Sequence, residues 1–390
     1  RNSMSQKIVP VKSGRLQSLD VFRGATIAAM LLVNNAGDWG NVFPPLAHAE
    51  WLGCTATDLI FPFFLFIVGV AMSFSFSKRI AKGVERKTLF LQVLRRTVIL
   101  YILGCIIMIF VWGALGKPYR PVGVLQRIAL CYFFSSLIIM HARLRGQMIW
   151  CAALLAVYYI LLKWVPFPGG EAGSLEKFKN IADWFDTQIL GTHTYDYNEK
   201  LNMGHDAEGF LSTIPAISSV LAGVICGNWL RRKDKDGYQK VAGMAVVGTV
   251  LMGFALLWRY DIPFSKHLWT PSYVIFTTAW ALLCLSVCYW IIDLKGYKKW
   301  ALPFIAYGVN PITAYFGASI MAYSSVWIRW TDEAGDTVYL KYFLYDHIFK
   351  SWVPEIFNHT VSSACWGLSY VVFWAIIMLI MYRKRIIIKV

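Results

Sequence analysis

Charge is scarce in this chain: 15% of its 390 residues are Asp, Glu, Lys or Arg, and only 22 are acidic. Soluble domains carry nearer a quarter, so a surface wetted on every side is excluded. Cys-x-x-Cys pairs are also absent, which excludes a thiol-redox motif or a zinc ribbon. Of the eight cysteines, Cys105, Cys131, Cys151, Cys226, Cys284, Cys288 and Cys365 fall inside or beside apolar runs, where they act as small packing residues. Only Cys54 lies in an exterior loop, so neither a disulfide framework nor a metal site is expected. Internal repeats are lacking too, which counts against a transporter built from duplicated halves.

What is present is apolar material: 57% of residues are hydrophobic and 16% aromatic, with a mean hydropathy of +0.51. It comes in blocks of roughly 18 to 25 residues, the length a helix needs to cross a ~30 Å hydrocarbon layer. The blocks predict helical spans at 19–36, 58–77, 93–112, 122–141, 148–164, 209–230, 241–258, 271–292, 300–323 and 361–382. The fold class is therefore all-α, a polytopic integral membrane protein of about ten transmembrane helices forming one domain over 1–390. Lys7, Lys12 and Arg15 precede the first span as in a signal peptide, but it contains Asp20 and Arg23 and has no small-residue cleavage site. It reads as a retained helix.

The formal charge of +16 does not indicate nucleic acid, because the basic residues sort by side instead of covering one face. Clusters such as Lys78–Arg79–Lys82, Arg86–Lys87, Arg231–Arg232–Lys233 and Arg383–Lys384–Arg385 alternate with loops holding most of the acids. This positive-inside pattern places both termini, including the arm 1–17, in the cytoplasm, and the basic side suits anionic lipid. Three exterior segments are long: 37–57, 165–206 and 324–360. The last contains TVYLKYFLYDHIFKSWV, amphipathic and too charged to span, which predicts an interfacial helix. The large apolar surface leaves room for a homodimer interface.

Polar groups concentrate between Arg15 and Gly69. Asp20 and Arg23 stand three apart on one helix face, where an unpaired charge costs roughly 2.5–3.5 kcal/mol on insertion scales. They read either as a structural ion pair or as a pair whose arginine holds phosphate. Asn34 and Asn35 lie near the exterior end of the first span, and His48 follows in a loop stiffened by Pro44, Pro45 and Trp51. Thr55, three residues before Asp58, has the spacing of a capping box. Asp58 then reads as a helix cap or, aimed back at the loop, as the group that orients His48. Asn310–Pro311 marks a helix break facing the interior.

RLQSLDVFRG, VNNAG, HAEWLGCTATDLIFPFFLFIVG, GVLQRIALCYF, DAEGFLSTIPAI, KHLWTPSYV and GVNPITAYF occur in this order along nearly the whole chain. In them the sequence resembles the heparan-alpha-glucosaminide N-acetyltransferase family and its bacterial relatives in the transmembrane acyltransferase superfamily. The resemblance implies acetyl-CoA as co-substrate, a glucosamine-type amine as acceptor, no metal and a place in the bacterial inner membrane. It implies a catalytic histidine at His48 and an asparagine at Asn34, with Asp58 beside them. The animal enzymes' large exterior domain and additional first helix have no counterpart in these residues, and DAEG stands where DPEG is commoner. A monosaccharide or short fragment is accordingly the expected acceptor.

The chemistry fits these residue types. An attacking amine must be neutral, so a base such as His48 is wanted, worth roughly 10²–10⁴ in rate. A fixed donor such as the Asn34 amide would stabilise the tetrahedral oxyanion. A covalent acetyl-histidine is equally open at this point. Arg23, Arg127 and Lys266 are expected to meet the CoA; Asp206, Glu208 and Trp269 are expected to meet the sugar, the first two otherwise reading as helix caps and the tryptophan as an interfacial belt residue. An N-acetylglucosamine permease and an acyltransferase acting on an envelope polymer are the other readings.

Overall fold

The computed structural model describes residues 16–116 and 118–388; Lys7, Lys12 and Arg15 of the expected N-terminal arm, and Lys389, lie outside the described residues. The chain is an all-α, multi-pass membrane protein. Its long helices are α1 (Gln17–Val33), α2 (Ile60–Ala81), α3 (Arg86–Leu115), α4 (Val124–His141) and α5 (Leu144–Trp164). A short α6 (Ile181–Leu190) and a hairpin of β1 (Asp196–Asn198) and β2 (Met203–His205) follow. Then come α7 (Thr213–Leu230), α8 (Gly237–Trp258), α9 (Pro271–Cys288), α10 (Leu302–Val309) and α11 (Pro311–Trp327). A second hairpin, β3 (Arg329–Thr331) and β4 (Thr337–Tyr339), leads to α12 (Leu340–Tyr345), α13 (Val353–Ile356) and α14 (His359–Arg383).

Among the described residues, eight helical segments are long and apolar enough to cross a bilayer: Thr57–Ala81, α3, α4, α5, α7, α8, Pro271–Leu294 and α14. The first and ninth expected spans are helical as well. However, α1 has only 17 residues, and the ninth is interrupted between α10 and α11 where Pro311 lacks the N–H that would continue the ladder. Asn310 heals that break: its side chain donates to Ile386 O at 2.9 Å and accepts from Ile388 N at 2.9 Å, tying the interruption to the segment after α14.

Close backbone contact organises the interior. A Cβ on Gly69 of α2 would stand 1.9 Å from Val220 O of α7, and one on Gly223 of α7 would stand 1.9 Å from Phe66 O of α2. Only glycine permits this approach, and in lipid, where apolar burial gives helices little reason to associate, such contact supplies the packing energy.

The three long interhelical segments meet at one end of the bundle. The segment between α5 and α7 is folded: Phe167, Ile181 and Ala182 bury against Tyr158 and Leu162 of α5 and against Ile262 and Leu268. Asn180 caps α6 by accepting Asp183 N at 2.9 Å. The interfacial helix expected from Thr337 onward is only partly formed. Its first three residues pair in β4 with β3, because the Asp332–Gly335 turn closes a hairpin there. The remainder is two short helices separated by a wider turn, docked through Tyr345 on Trp366 and Tyr370 of α14.

Candidate active site

The loop between α1 and α2 is shaped around one buried carboxylate. Asp58 Oδ1 lies 2.7 Å from His48 Nδ1, while Oδ2 accepts Ala49 N at 3.1 Å and Thr55 N at 3.0 Å, with Thr55 Oγ1 3.1 Å away. Half of the expected capping box is therefore present. The other half is replaced, since Thr55 Oγ1 also reaches Ala47 O at 2.7 Å. The two readings of Asp58 thus hold together: one oxygen caps the turn, and the other orients the histidine. An ionised Asp58 only accepts, so His48 Nδ1 carries the proton and Nε2 presents its lone pair. The His48 side chain keeps 41% of its exposure, enough for an incoming ligand to reach it.

Lys266 stands over the His48 ring. Its Nζ lies 3.1 Å from His48 Nε2 and 3.2 Å from Nδ1. The segment carrying it is zipped to the His48 loop by Gly53 N to Phe264 O at 2.6 Å and Ser265 Oγ to Trp51 O at 2.9 Å, and Tyr273 OH donates to Asp58 O at 2.5 Å. Burial lowers the Lys266 pKa below the usual lysine range, against the pull of Glu208 and Asp58 and with added repulsion from Arg127.

Arg120, from the loop before α4, supplies a second cation. Its Nε donates to Asp206 Oδ2 at 2.7 Å, and its Nη2 reaches both Asp206 Oδ1 and Glu208 Oε2. Burial works to raise the Glu208 pKa, but Arg120, followed by Arg127 and Lys266, overcomes this and holds it down to about 2. Tyr195, exposed, lies with its ring 5.3 Å from the Arg120 guanidinium carbon and forms an open aromatic face beside the acids.

Arg127 of α4 is fully buried. Its Nη2 donates to Gly209 O at 2.8 Å and to Ser212 Oγ, its guanidinium lies 5.1 Å from the Trp269 ring centre, and its Nε and Nη1 have no hydrogen-bond partner among the described residues. Trp269 is buried as well. A backbone φ of 51° in the tight turn from Lys266 to Thr270 sends its ring inward onto Phe61 and Tyr273, so it offers no open face for stacking on a sugar. Trp51 is the aromatic beside the His48 loop, stacked on His267 with ring centres 5.1 Å apart.

Two expected residues have no hydrogen bond to this cluster among the described residues. Asn34 is the exposed C-cap of α1, and no hydrogen bond joins its side chain to His48. Arg23 pairs with Asp20 at 2.5 Å eleven residues earlier on α1, roughly 16 Å along the axis. There it lines, with Arg96, Ser75, Phe64, Ile128 and Pro311, a cavity of about 190 Å³. A small void of about 10 Å³ above it shares Phe64, Ile128, Pro311 and Ile312 and is closed by Met30 and Tyr315.

Sequence reasoning missed Arg120, Tyr195, His205 and His267. Their signals were faint: an isolated arginine between Tyr119 and Pro121, and histidines adjoining Asp206 and Lys266. His205 Nδ1 lies 2.6 Å from Asp183 Oδ1, and His205 Nε2 lies 3.1 Å from His267 Nδ1.

Fold and site together define a multi-pass helical membrane protein with a His–Asp dyad beside a lysine at one end of its bundle. A family model described as "Heparan-alpha-glucosaminide N-acetyltransferase, catalytic" matches residues 15–262, and the chain belongs to that family. It is 27% identical to the human heparan-alpha-glucosaminide N-acetyltransferase, over 96% of this chain and 60% of that protein. It is also 27% identical to the mouse enzyme of the same name, over 79% of this chain and 54% of that one. The chain thus spans little more than half the length of these relatives, and the segment matched by the family model ends at residue 262, before Lys266 and His267.

Proposed function

We propose that this protein transfers the acetyl group of acetyl-CoA to the amine of a glucosamine-type sugar, and that the transfer occurs at the membrane face opposite the basic loops. The observation that carries this reading is the dyad: Asp58 holds His48 in the tautomer whose Nε2 is free to act as base or nucleophile, at an exposed position beside Lys266, which Glu208 faces in turn. The arrangement parallels the tautomer-setting role of the carboxylate in hydrolytic triads.

In one route, His48 Nε2 takes a proton as the amine nitrogen bonds to the thioester carbon, then passes it to the CoA sulfur as the C–S bond breaks. In the other, Nε2 itself takes the acetyl group, expels the thiolate and yields to the amine in a second step. Lys266 or the exposed Asn34 amide supplies a donor for the oxyanion in either. Glu208, set in place by Arg120 and the buried Asp206, binds the ammonium of the sugar, and Tyr195 provides a ring face.

The donor is cytoplasmic, so its acetyl end must traverse the bundle. The cavity lined by Arg23 and Arg96 is the entry we assign: two guanidinium groups suit phosphate, and the apolar walls leading to Tyr315 suit the pantetheine arm. The proposed setting is the bacterial inner membrane with both termini cytoplasmic.

Transfer of labelled acetyl from acetyl-CoA to glucosamine by the purified protein in detergent tests this. Labelled N-acetylglucosamine, lost in folded His48→Ala and reduced in Asn34→Ala, is the expected result. Untouched acetyl-CoA together with N-acetylglucosamine accumulation in liposomes would replace the enzyme with a permease.

A further inference from the structure

The proton balance of this reaction points beyond His48. A protonated sugar amine and acetyl-CoA give amide, CoA thiol and one free proton, so the nitrogen sheds two protons and only one ends on sulfur. His48 is a poor sole acceptor for both, because a proton on its Nε2 sits against the Lys266 Nζ that already lies 3.1 Å away.

A second acid–base chain lies beside the dyad, its His267 next to Lys266 and faced by Glu208 and Asp58. Asp183 is fully buried, and its Oδ2 accepts Phe178 N at 2.7 Å and Asn180 Nδ2 at 2.8 Å. Its Oδ1 therefore holds the proton of His205 on Nδ1 and leaves Nε2 as acceptor. The only proton that can fill the 3.1 Å gap to His267 is then on His267 Nδ1. That assignment makes His267 Nε2 a lone pair, and it has no hydrogen-bond partner among the described residues. Trp51 fixes both rings, stacking on His267 and meeting His205 edge-on at 4.7 Å between centres.

We propose that Asp183, His205 and His267 form a proton relay that takes the first proton from the acceptor ammonium. His267 Nε2 gains that proton while its Nδ1 proton passes to His205 Nε2. His267 ends neutral with its tautomer exchanged, and the positive charge ends on His205 against the Asp183 carboxylate. The neutral amine then attacks, and its second proton travels by His48 to the CoA sulfur. After product leaves, the relay reverses and releases its proton to water at His267 Nε2.

The charged groups around the chain explain why a relay serves better than one histidine. His267 faces Lys266 from its own segment, Glu208 and His205 from the β2–α7 side, and Asp58 from the α2 turn. Burial, then His205 and Lys266, push its pKa down to about 4, so charge does not stay there. His205 is faced by Asp183 of α6 and Asp196 of β1, both acids.

This inference rests on the acetyl-transfer reading, and its test separates the two. His267→Gln keeps a side chain that can hydrogen-bond His205 but cannot exchange protons, and its melting temperature reports whether it folds. We expect kcat/KM for glucosamine to fall about 100-fold at pH 6, where an amine of pKa ~8 is about 1% neutral. The deficit should shrink to less than about threefold at pH 9, and imidazole added at pH 6 should restore part of it. His205→Gln should show the same pattern. A loss equal at both pH values, or no loss, overturns the relay while transfer by the wild type upholds the enzyme. Absence of transfer by the wild type at every pH overturns the reading beneath it and the relay together.

Discussion

Asp58→Asn isolates the orienting role of the carboxylate from its bulk. The amide has one oxygen where the carboxylate has two, and the surrounding donors compete for it. Ala49 N, Thr55 N and Thr55 Oγ1 converge on the Oδ2 position at 3.0–3.1 Å, whereas His48 alone faces Oδ1. The amide oxygen therefore settles toward the two backbone N–H groups, and its NH₂ turns toward His48. The histidine must then accept at Nδ1 and carry its proton on Nε2, which can then act neither as base nor as nucleophile. Stability should fall by about 1.5–3 kcal/mol, the worth of one hydrogen bond to a charged group. Acetyl transfer should fall by roughly 10²–10⁴, or about 3–5 kcal/mol in barrier, to near the His48→Ala level. Thr55→Val is the control: it loses the Oγ1 contacts but leaves the tautomer unchanged, so it should lose about 1 kcal/mol of stability with transfer near wild type. The assay is labelled acetyl transfer alongside thermal unfolding in detergent. A folded Asp58→Asn protein with near-wild-type transfer, or equal impairment in both variants, would refute the tautomer argument.

Arg120→Met leaves Asp206 and Glu208 buried without their partner and should cost about 3–5 kcal/mol, read as a lowered melting temperature that Arg120→Met/Glu208→Gln partly restores; no restoration would show that the acids are not paired through Arg120. Gly223→Val drives a side chain into Phe66 O of α2 and should prevent α2 and α7 from meeting, measured as loss of folded monodisperse protein, whereas normal yield would contradict the close crossing. Asp186, which accepts Phe210 N and Leu211 N at the start of α7, is pushed up to about 7 by burial, with repulsion from Asp206 adding to it. Its folded pKa lies above the unfolded value of 3.8, so its contribution is full below about pH 4 and is lost as pH rises through about 7. Asp186→Asn should therefore gain melting temperature over wild type between pH 5 and pH 8, and parallel curves would refute the assignment. Arg96→Ala should raise KM for acetyl-CoA with little change in kcat, since it lines the donor cavity far from His48; an unchanged KM would place the CoA elsewhere.

The features legible in the sequence are those whose physical cause is local. Hydrophobic runs state where helices lie because the bilayer imposes one length on all of them, and Pro311 marks the interruption because a missing N–H breaks any helix. His48 and Asp58 were legible because both sit in one loop, ten residues apart, where the Thr55–Asp58 spacing already turns the carboxylate back on the chain. Distances across the bundle were not. Lys266 reaches His48 from 218 positions away, and His205 meets His267 across 62; no periodicity encodes such pairs, which arise only when α2 and α7 pack on α9 and bring their preceding segments together. Trp269 was open to two readings, a sugar-stacking face or an interfacial belt residue, and a left-handed backbone turn sends its ring into the buried interior instead. Hydrophobic patterning alone located the ten helical regions and put His48 and Asp58 in one loop, but it indicated neither hairpin. The tertiary structure alone decided which cation faces the dyad, which aromatic stays open and where a second pair of imidazoles lies, because those choices depend on helix contacts and turn conformations that no local pattern records.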